Sequence, residues 1–196
     1  MDKGVIKKIK ECSETFWKND KALDDPSDYL KNQKLQYKDI IEAEDRWIRF
    51  SPLLKKLFPE IEKGTIESEI KYANRLKDFL EKKVKQKIMG NLLFKCDNKL
   101  PITGSIKSRG GIYEVLTYAE KLVTEELEFS GNDYSVFAEE KYRKMFSRYR
   151  ILVGSTGNLG LSVGIVGKKL GFHVQIHMST DAKEWKKTCL EMREQR

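Results

Sequence analysis

The chain has 196 residues, of which 35% are charged and 39% are hydrophobic, and its formal net charge is +8. These proportions exclude a disordered chain and suit one ordinary domain, or one and a half small ones. Because no apolar run reaches the ~20 residues of a membrane span and residues 1–10 lack the apolar centre of a secretory signal, we expect a cytoplasmic protein without a membrane partner.

Residues 1–90 are predicted to form an N-terminal helical region. Apolar residues at roughly helical spacing indicate three helices, near Val5–Trp17, Tyr37–Phe58 and Ile70–Ile88. Segments rich in Asp, Pro, Gly and Ser at residues 24–27 and 58–64 indicate the turns between these helices.

The pattern changes at residue 91, and residues 91–196 are predicted to begin an α/β domain. Apolar runs indicate three short strands, at Leu92–Cys96, Ile151–Val153 and Phe172–Met178. Helices are expected from Ser105, from Gly157 to Leu170 and from Asp181, with Gly171 as the C-terminal cap of the second. Because strands alternate with helices, the fold class is predicted to be α/β with parallel sheet units.

The two central helices are predicted to be buried to different extents. The helix after Ser105 has a single apolar stripe, made of Ile112, Val115, Leu116, Ala119, Leu122 and Val123. The helix after Gly157 is apolar nearly all round, which predicts burial by a larger sheet than residues 91–196 supply. Residues 128–149, between the two helices, are predicted to form a polar connector.

Cysteine, histidine and charge patterns argue against several kinds of site. The three cysteines, Cys12, Cys96 and Cys189, are far apart and form no C-x-x-C pair, which disfavours disulfides and zinc. His173 and His177 lie an even number of positions apart in a predicted strand, so both are expected on the same face of it. No Cys or carboxylate cluster is spaced to complete a metal site with them. Lysines alternate with acidic residues on helix faces, so no nucleic-acid partner is expected and nucleic-acid binding is a minor alternative.

A lysine lies in the first turn of the helix that follows Ser105. In Thr103–Gly111, which reads TGSIKSRGG, Lys107 is near the positive end of the helix dipole. That placement favours the neutral, nucleophilic amine that a Schiff-base lysine requires. The same local features also suit an ordinary lysine whose tip is solvated.

A second loop, Gly154–Gly160, lies between a predicted strand and a helix and reads GSTGNLG. Its amides are expected to converge at the positive end of that helix, which is how proteins bind phosphate or carboxylate. Ser155 and Thr156 add hydroxyl donors, and Asn158 adds an amide. The glycine spacing matches neither a Walker loop nor G-x-G-x-x-G. A generic glycine turn is an equally good interpretation of this loop alone.

Together, SIKSRGG and STGNLG resemble the paired loops of the fold-type-II pyridoxal-phosphate enzymes, which include the serine and threonine dehydratases. The longer runs LPITGSIKSRGGIYEVL, at residues 100–116, and VGSTGNLGLS, at residues 153–162, are similar to the D-serine dehydratases of that family. The segment at residues 177–187 resembles the one that follows in these enzymes. The resemblance covers residues 37–190.

The resemblance implies that Lys107 is the catalytic lysine that binds pyridoxal 5'-phosphate covalently and that Asn158 bonds the phenolic oxygen of this cofactor. It implies that Ser155, Thr156, Gly157 and Asn158 hold the substrate carboxylate, in agreement with the anion site inferred from the loop. The implied reaction eliminates water and ammonia from D-serine, a small-molecule substrate, to give pyruvate. The choice of D-serine over L-serine or L-threonine rests on the resemblance alone. Arg109 is interpreted as structural.

Chains of this family are considerably longer than this one. Their glycine-rich phosphate cup and the partner of the pyridine nitrogen come later than the region that these 196 residues resemble. Because charge-assisted phosphate contacts are each worth about 1.5–3 kcal/mol, we expect this polypeptide alone to bind the cofactor poorly and to turn over little substrate. A non-catalytic remnant that acts as a binding module is the alternative.

Overall fold

The computed structural model describes residues 3–19, 22, 26–180, 183, 184 and 188. The chain divides into two compact units, residues 1–41 and 42–196. Its α-helices are α1 (Lys3–Lys10), α2 (Ser27–Lys31), α3 (Tyr37–Leu57), α4 (Asn74–Val84), α5 (Ile106–Leu127), α6 (Glu140–Phe146) and α7 (Asn158–Leu170). Its strands are β1 (Ile70–Tyr72), β2 (Leu93–Lys95), β3 (Arg150–Gly154) and β4 (His173–His177). No helix within the described ranges is long and apolar enough to cross a membrane.

The first helix is shorter than predicted. The prediction near Val5–Trp17 was wrong in its second half, because α1 ends at Lys10. Cys12 takes up a left-handed conformation with φ of 52°. The Ser13 amide donates to the Lys8 carbonyl at 2.9 Å, and the Cys12 amide donates to the Ile9 carbonyl at 3.1 Å. These two bonds form a Schellman motif, which stops a helix whatever apolar residues follow.

The helix predicted at Ile70–Ile88 is a strand followed by a shorter helix. β1 pairs antiparallel with β2, with Ile70 opposite Lys95 and Tyr72 opposite Leu93, and α4 begins only at Asn74. β-Branched and aromatic residues such as Ile70 and Tyr72 suit strands, and pairing with β2 satisfies their backbone groups. The run predicted at residues 92–96 is therefore a strand, but in this antiparallel pair and not in the parallel sheet.

The core of the second unit is built around α5 and α7, which pack against each other. All six residues of the predicted α5 stripe are buried, and nine of the 13 residues of α7 are buried. A Cβ atom at Gly111 of α5 would lie 2.2 Å from the Ser162 Oγ of α7, so a side chain there would require Ser162 to shift. The same apolar core includes four residues of α3, namely Phe50, Leu53, Leu54 and Leu57.

The prediction of a polar connector at residues 128–149 was wrong. This stretch contains a 3-10 turn at Tyr134–Ala138 and the helix α6. Phe137, Tyr142, Met145 and Phe146 are buried in the core, and the ring centroids of Phe146 and Phe172 lie 4.7 Å apart. The buried residues recur every few positions between charged residues. The average polarity of residues 128–149 therefore did not indicate that one face of this segment packs into the core.

β3 and β4, both predicted as strands, form a parallel pair, and the α/β fold class is confirmed. The register runs from Arg150 opposite His173 to Gly154 opposite His177. Along both strands, exposed residues alternate with half-buried ones, so one face of this pair is solvated. Gly171 caps α7 as predicted, with φ of 106° and its amide 3.1 Å from the Gly167 carbonyl. The helix predicted from Asp181 lies outside the described residues.

Candidate active site

The lysine loop is fixed to the start of α5 by three hydroxyl side chains. Ser105 is the residue that precedes α5, and its Oγ accepts a hydrogen bond from the Lys107 amide at 3.3 Å. The Thr103 and Ser108 hydroxyls are hydrogen-bonded to each other, and Ser108 is fully buried. Lys107 itself is exposed. The backbone under Lys107 is thus fixed while its amine projects into solvent.

The next turns of α5 are held by α3. The guanidinium carbon of Arg109 lies 5.7 Å from the ring centroid of Trp47, and the Tyr113 ring lies 5.8 Å from that of Trp47. Arg46 donates a hydrogen bond to the Tyr113 hydroxyl. Stacking of a cation on an aromatic ring stabilises such an arrangement by about 0.5–1 kcal/mol at exposed sites. Arg109 therefore contacts α3, which agrees with its interpretation as a structural residue.

A half-buried carboxylate extends this attachment of α5. Glu120 accepts hydrogen bonds from Arg46 Nε at 2.6 Å, from Arg49 Nη2 at 3.1 Å and from the Tyr134 hydroxyl at 2.9 Å. Burial alone raises the pKa of Glu120, but the hydrogen bonds from Arg46 and Tyr134 outweigh it and hold this pKa below its ordinary value. These charged groups pair with one another, so we assign them a role in fixing α5.

The second loop begins where β3 ends. The Ser155 amide donates to the His177 carbonyl at 2.9 Å, which continues the β3–β4 ladder by one bond. The Ser155 Oγ accepts from the amides of Gly157, at 3.3 Å, and Gly160, at 3.1 Å. Ser155 therefore caps the N-terminus of α7, whose positive end faces the loop.

The two predicted loops line one cleft of about 730 Å³. Its lining residues are Lys107, Gly110, Gly154, Ser155, Thr156, Gly157, Leu159, His177 and Ser179. Of the predicted site residues, the structure thus brings together Lys107, Ser155, Thr156 and Gly157. Asn158 is half-buried as the first residue of α7 and does not line the cleft. The chemical roles of all five remain predictions.

Five lining residues were not among the site residues predicted from the sequence. Gly110, Gly154 and Leu159 lie within the two predicted loops, whereas His177 is the last residue of β4 and Ser179 follows that strand. The signal for His177 was available, because the carboxyl ends of neighbouring parallel strands meet at the same edge of a sheet. Both strands were predicted from the sequence, but the prediction did not include that they are neighbours in one sheet. Within the described ranges, no group of three or more His, Cys, Asp or Glu side chains is placed to hold a metal ion.

The residues of this cleft fit a ligand that carries both an aldehyde and anionic groups. Lys107 offers the primary amine that condenses with an aldehyde. The loop at residues 154–157 and the α7 N-terminus offer amides and a positive dipole to an anion. With about 730 Å³, the cleft falls in the range of small-molecule sites.

Comparison with known families agrees with this chemistry. Residues 74–194 match the family model described as "Pyridoxal-phosphate dependent enzyme". The matched range includes both loops and every lining residue of the cleft.

Curated relatives share about half of their aligned residues with this chain. A protein of Carboxydothermus hydrogenoformans named "Probable D-serine dehydratase" is 51% identical over 183 residues, which are 93% of this chain and 43% of the relative. A protein of Geobacillus stearothermophilus with the same name is 49% identical over 191 residues, 95% of this chain and 41% of the relative. The chain therefore spans less than half the length of the curated relatives that it matches.

Proposed function

This chain belongs to the family of pyridoxal-phosphate-dependent enzymes, and from that premise we propose that it supplies Lys107 to a D-serine ammonia-lyase site. In this reaction D-serine loses its β-hydroxyl group as water, and hydrolysis of the resulting imine then takes up water and releases ammonia, so that the net products are pyruvate and ammonia. The observation that carries this proposal is that Lys107 and the loop at Ser155–Gly157 line the same cleft. The family model and the names of the relatives support it.

We assign the roles as follows. Lys107 binds the cofactor aldehyde through its amine, and Asn158 is proposed to bond the phenolic oxygen. Ser155, Thr156 and Gly157, together with Asn158, hold the substrate carboxylate at the positive end of α7. When bound, pyridoxal phosphate takes up the charge that develops at the substrate α-carbon.

Ser155 has two tasks in this assignment. Its Oγ accepts hydrogen bonds from the Gly157 and Gly160 amides. The Ser155 hydroxyl therefore contributes by shaping the loop and by donating its own proton. The amide of Thr156 and the end of the α7 dipole contribute the remaining attraction for a carboxylate.

The cofactor proposal is tested by covalent trapping. The 196-residue polypeptide is incubated with pyridoxal phosphate, reduced with borohydride, and digested for mass spectrometry. We expect Lys107 to be labelled faster than the surface lysines, Lys107→Ala to abolish that preferred label, and Lys121→Ala, which removes an exposed lysine of the same helix, to leave it intact. A label spread evenly over the surface lysines contradicts the proposal.

The substrate proposal is tested by turnover. Pyruvate formation from D-serine and from L-serine is measured for this polypeptide fused to the part of the Carboxydothermus relative that it does not match. We expect faster turnover of D-serine and no turnover in the Lys107→Ala form of the fusion. Faster turnover of L-serine would overturn the choice of substrate while leaving the cofactor assignment in place.

A further inference from the structure

The cleft contains a second ionisable side chain whose role is not assigned by the proposed function. Among the described residues that line it, Lys107 and His177 are the two with ionisable side chains. The remaining lining residues are Gly, Ser, Thr and Leu. Within the described part of the chain, a proton transfer that changes the charge of a lining side chain therefore involves one of these two residues.

The position of His177 follows from the parallel strands. It is the last residue of β4, directly opposite Gly154, where β3 runs into the second loop. The imidazole is exposed, and it lies on the same face of the strand pair as His173. Among the described residues, Lys107 from α5 shares the cleft with it, and His173 of β4 and Arg150 of β3 lie farther along the same sheet face.

Among the described residues, the exposed His177 side chain contributes little to holding the strand or the loop. Its backbone carbonyl accepts the Ser155 amide at 2.9 Å, and that bond needs no imidazole. An exposed side chain at a strand end also contributes little to the core. A substitution at 177 that keeps the strand therefore changes the chemistry of the cleft and leaves the loop in place.

We propose that His177 is a catalytic acid of this cleft, which donates a proton when the Lys107 amine condenses with an aldehyde; the proposal rests on the proposed function of Lys107. After the amine has added to the carbonyl carbon, one of the two amine protons moves to the oxygen, which becomes a hydroxyl group. The C–O bond then breaks with its electron pair going to oxygen, and the imidazolium N–H donates the second proton, so that water leaves. The nitrogen lone pair forms the C=N bond, the nitrogen keeps its other proton, and the neutral imidazole takes up a proton from solvent. Imidazole is suited to this step because it exchanges protons near neutral pH.

The chain offers a matched control in its other histidine. His173 lies on the same strand and the same face but four residues earlier, which is ~13 Å along a strand at ~3.3 Å per residue. It does not line the cleft. His173→Asn therefore removes an exposed imidazole from β4 without removing an acid from the cleft.

The test measures the rate at which pyridoxal phosphate becomes attached to Lys107 in the full chain, by borohydride quenching and peptide mass spectrometry from pH 5 to 8. We expect His177→Asn to slow attachment about 10-fold, less than the 10²–10⁴ typical of enclosed sites because water also reaches this open cleft. The same variant flattens the pH dependence of the rate. His173→Asn retains both the rate and its pH dependence.

Chemical rescue separates catalysis from a structural effect. We expect free imidazole to restore the attachment rate of His177→Gly and to leave that of the wild type unchanged. An unchanged rate and pH profile in His177→Asn, or slowing that imidazole does not restore, overturns the role of His177. If the wild-type chain shows no preferential label at Lys107, the proposed function itself has failed, and the two outcomes are thus distinguishable.

Discussion

The α5–α7 region and the β1–α4–β2 segment of the second unit differ in the fraction of their residues that is buried. α7 buries nine of its 13 residues and α5 buries eight of its 22. α4, β1 and β2 bury no residue at all. The cleft around Lys107 is therefore positioned by elements with a core of their own, whereas the other segment depends on backbone pairing and surface contacts.

The β1–α4–β2 segment keeps large apolar side chains in solvent. Ile70 is 65% exposed, Phe79 58% and Phe94 52%. Ion pairs flank the strands, with Lys99 Nζ at 2.7 Å from Glu69 and Lys95 Nζ at 2.6 Å from Asp97. Because exposed ion pairs contribute at most about 1 kcal/mol each, they do not replace a core. We therefore expect this segment to open locally at lower free energy than α5 and α7.

The largest expected effect comes from removing the same side chain in each region. Phe146→Ala is expected to cost about 3–5 kcal/mol in the free energy of unfolding, because the ring is fully buried against Phe137 and Phe172. Phe79→Ala, on α4, is expected to change it by less than about 0.5 kcal/mol. Urea unfolding of the two variants measures the difference. Similar losses in both would show that α4 is packed in solution.

The sequence predicted the α5–α7 region better than the β1–α4–β2 segment, and the same contrast in burial explains why. The α5 stripe from Ile112 to Val123, the β3–β4 strands and the Gly171 cap are local patterns that agree with their tertiary surroundings. β1 was predicted as helix because its partner, β2, lies more than 20 residues away and no local pattern specifies the pairing. Cys12 ended α1 in a conformation that residue identity does not favour.

The candidate site was predicted in part for the same reason. Lys107 and the loop at residues 154–157 are recognisable because each combines a helix start with a particular residue order. His177 was not recognised, because its place in the cleft depends on which strand lies beside β3. Gly111 was recognised only as part of a motif, and its close contact with Ser162 arises from the approach of two helices.

The second prediction compares two adjacent glycines of α5. Gly111→Ala is expected to cost about 1–3 kcal/mol, because its Cβ would lie 2.2 Å from the Ser162 Oγ and 3.0 Å from the Leu159 Cδ1. Gly110→Ala meets nothing within 4 Å and is expected to stabilise the helix by about 0.5–1 kcal/mol. Unfolding midpoints in urea measure both changes. Equal effects at the two positions would contradict the close approach of α5 and α7.

The smallest expected effect concerns the carboxylate that joins α5 to α3. The folded-state pKa of Glu120 lies below its ordinary value, so its ionised form contributes stability above the unfolded value of about 4.3, and this contribution is lost as the pH falls through the folded-state value. Glu120→Gln is therefore expected to cost about 1–2 kcal/mol near pH 7 and progressively less below about pH 4.

The matched control is Glu69, which precedes β1 and whose pKa is also lowered, by hydrogen bonds from Lys99 and Lys71. Because Glu69 is exposed, Glu69→Gln is expected to leave the unfolding midpoint unchanged from pH 3 to 7. The two variants are unfolded in urea at several pH values. A loss for Glu120→Gln that does not shrink in acid would show that it arises from side-chain packing and not from the charge. A pH-dependent loss for Glu69→Gln would mean that the surface pairs around β1 stabilise this segment as the half-buried network around Glu120 stabilises α5.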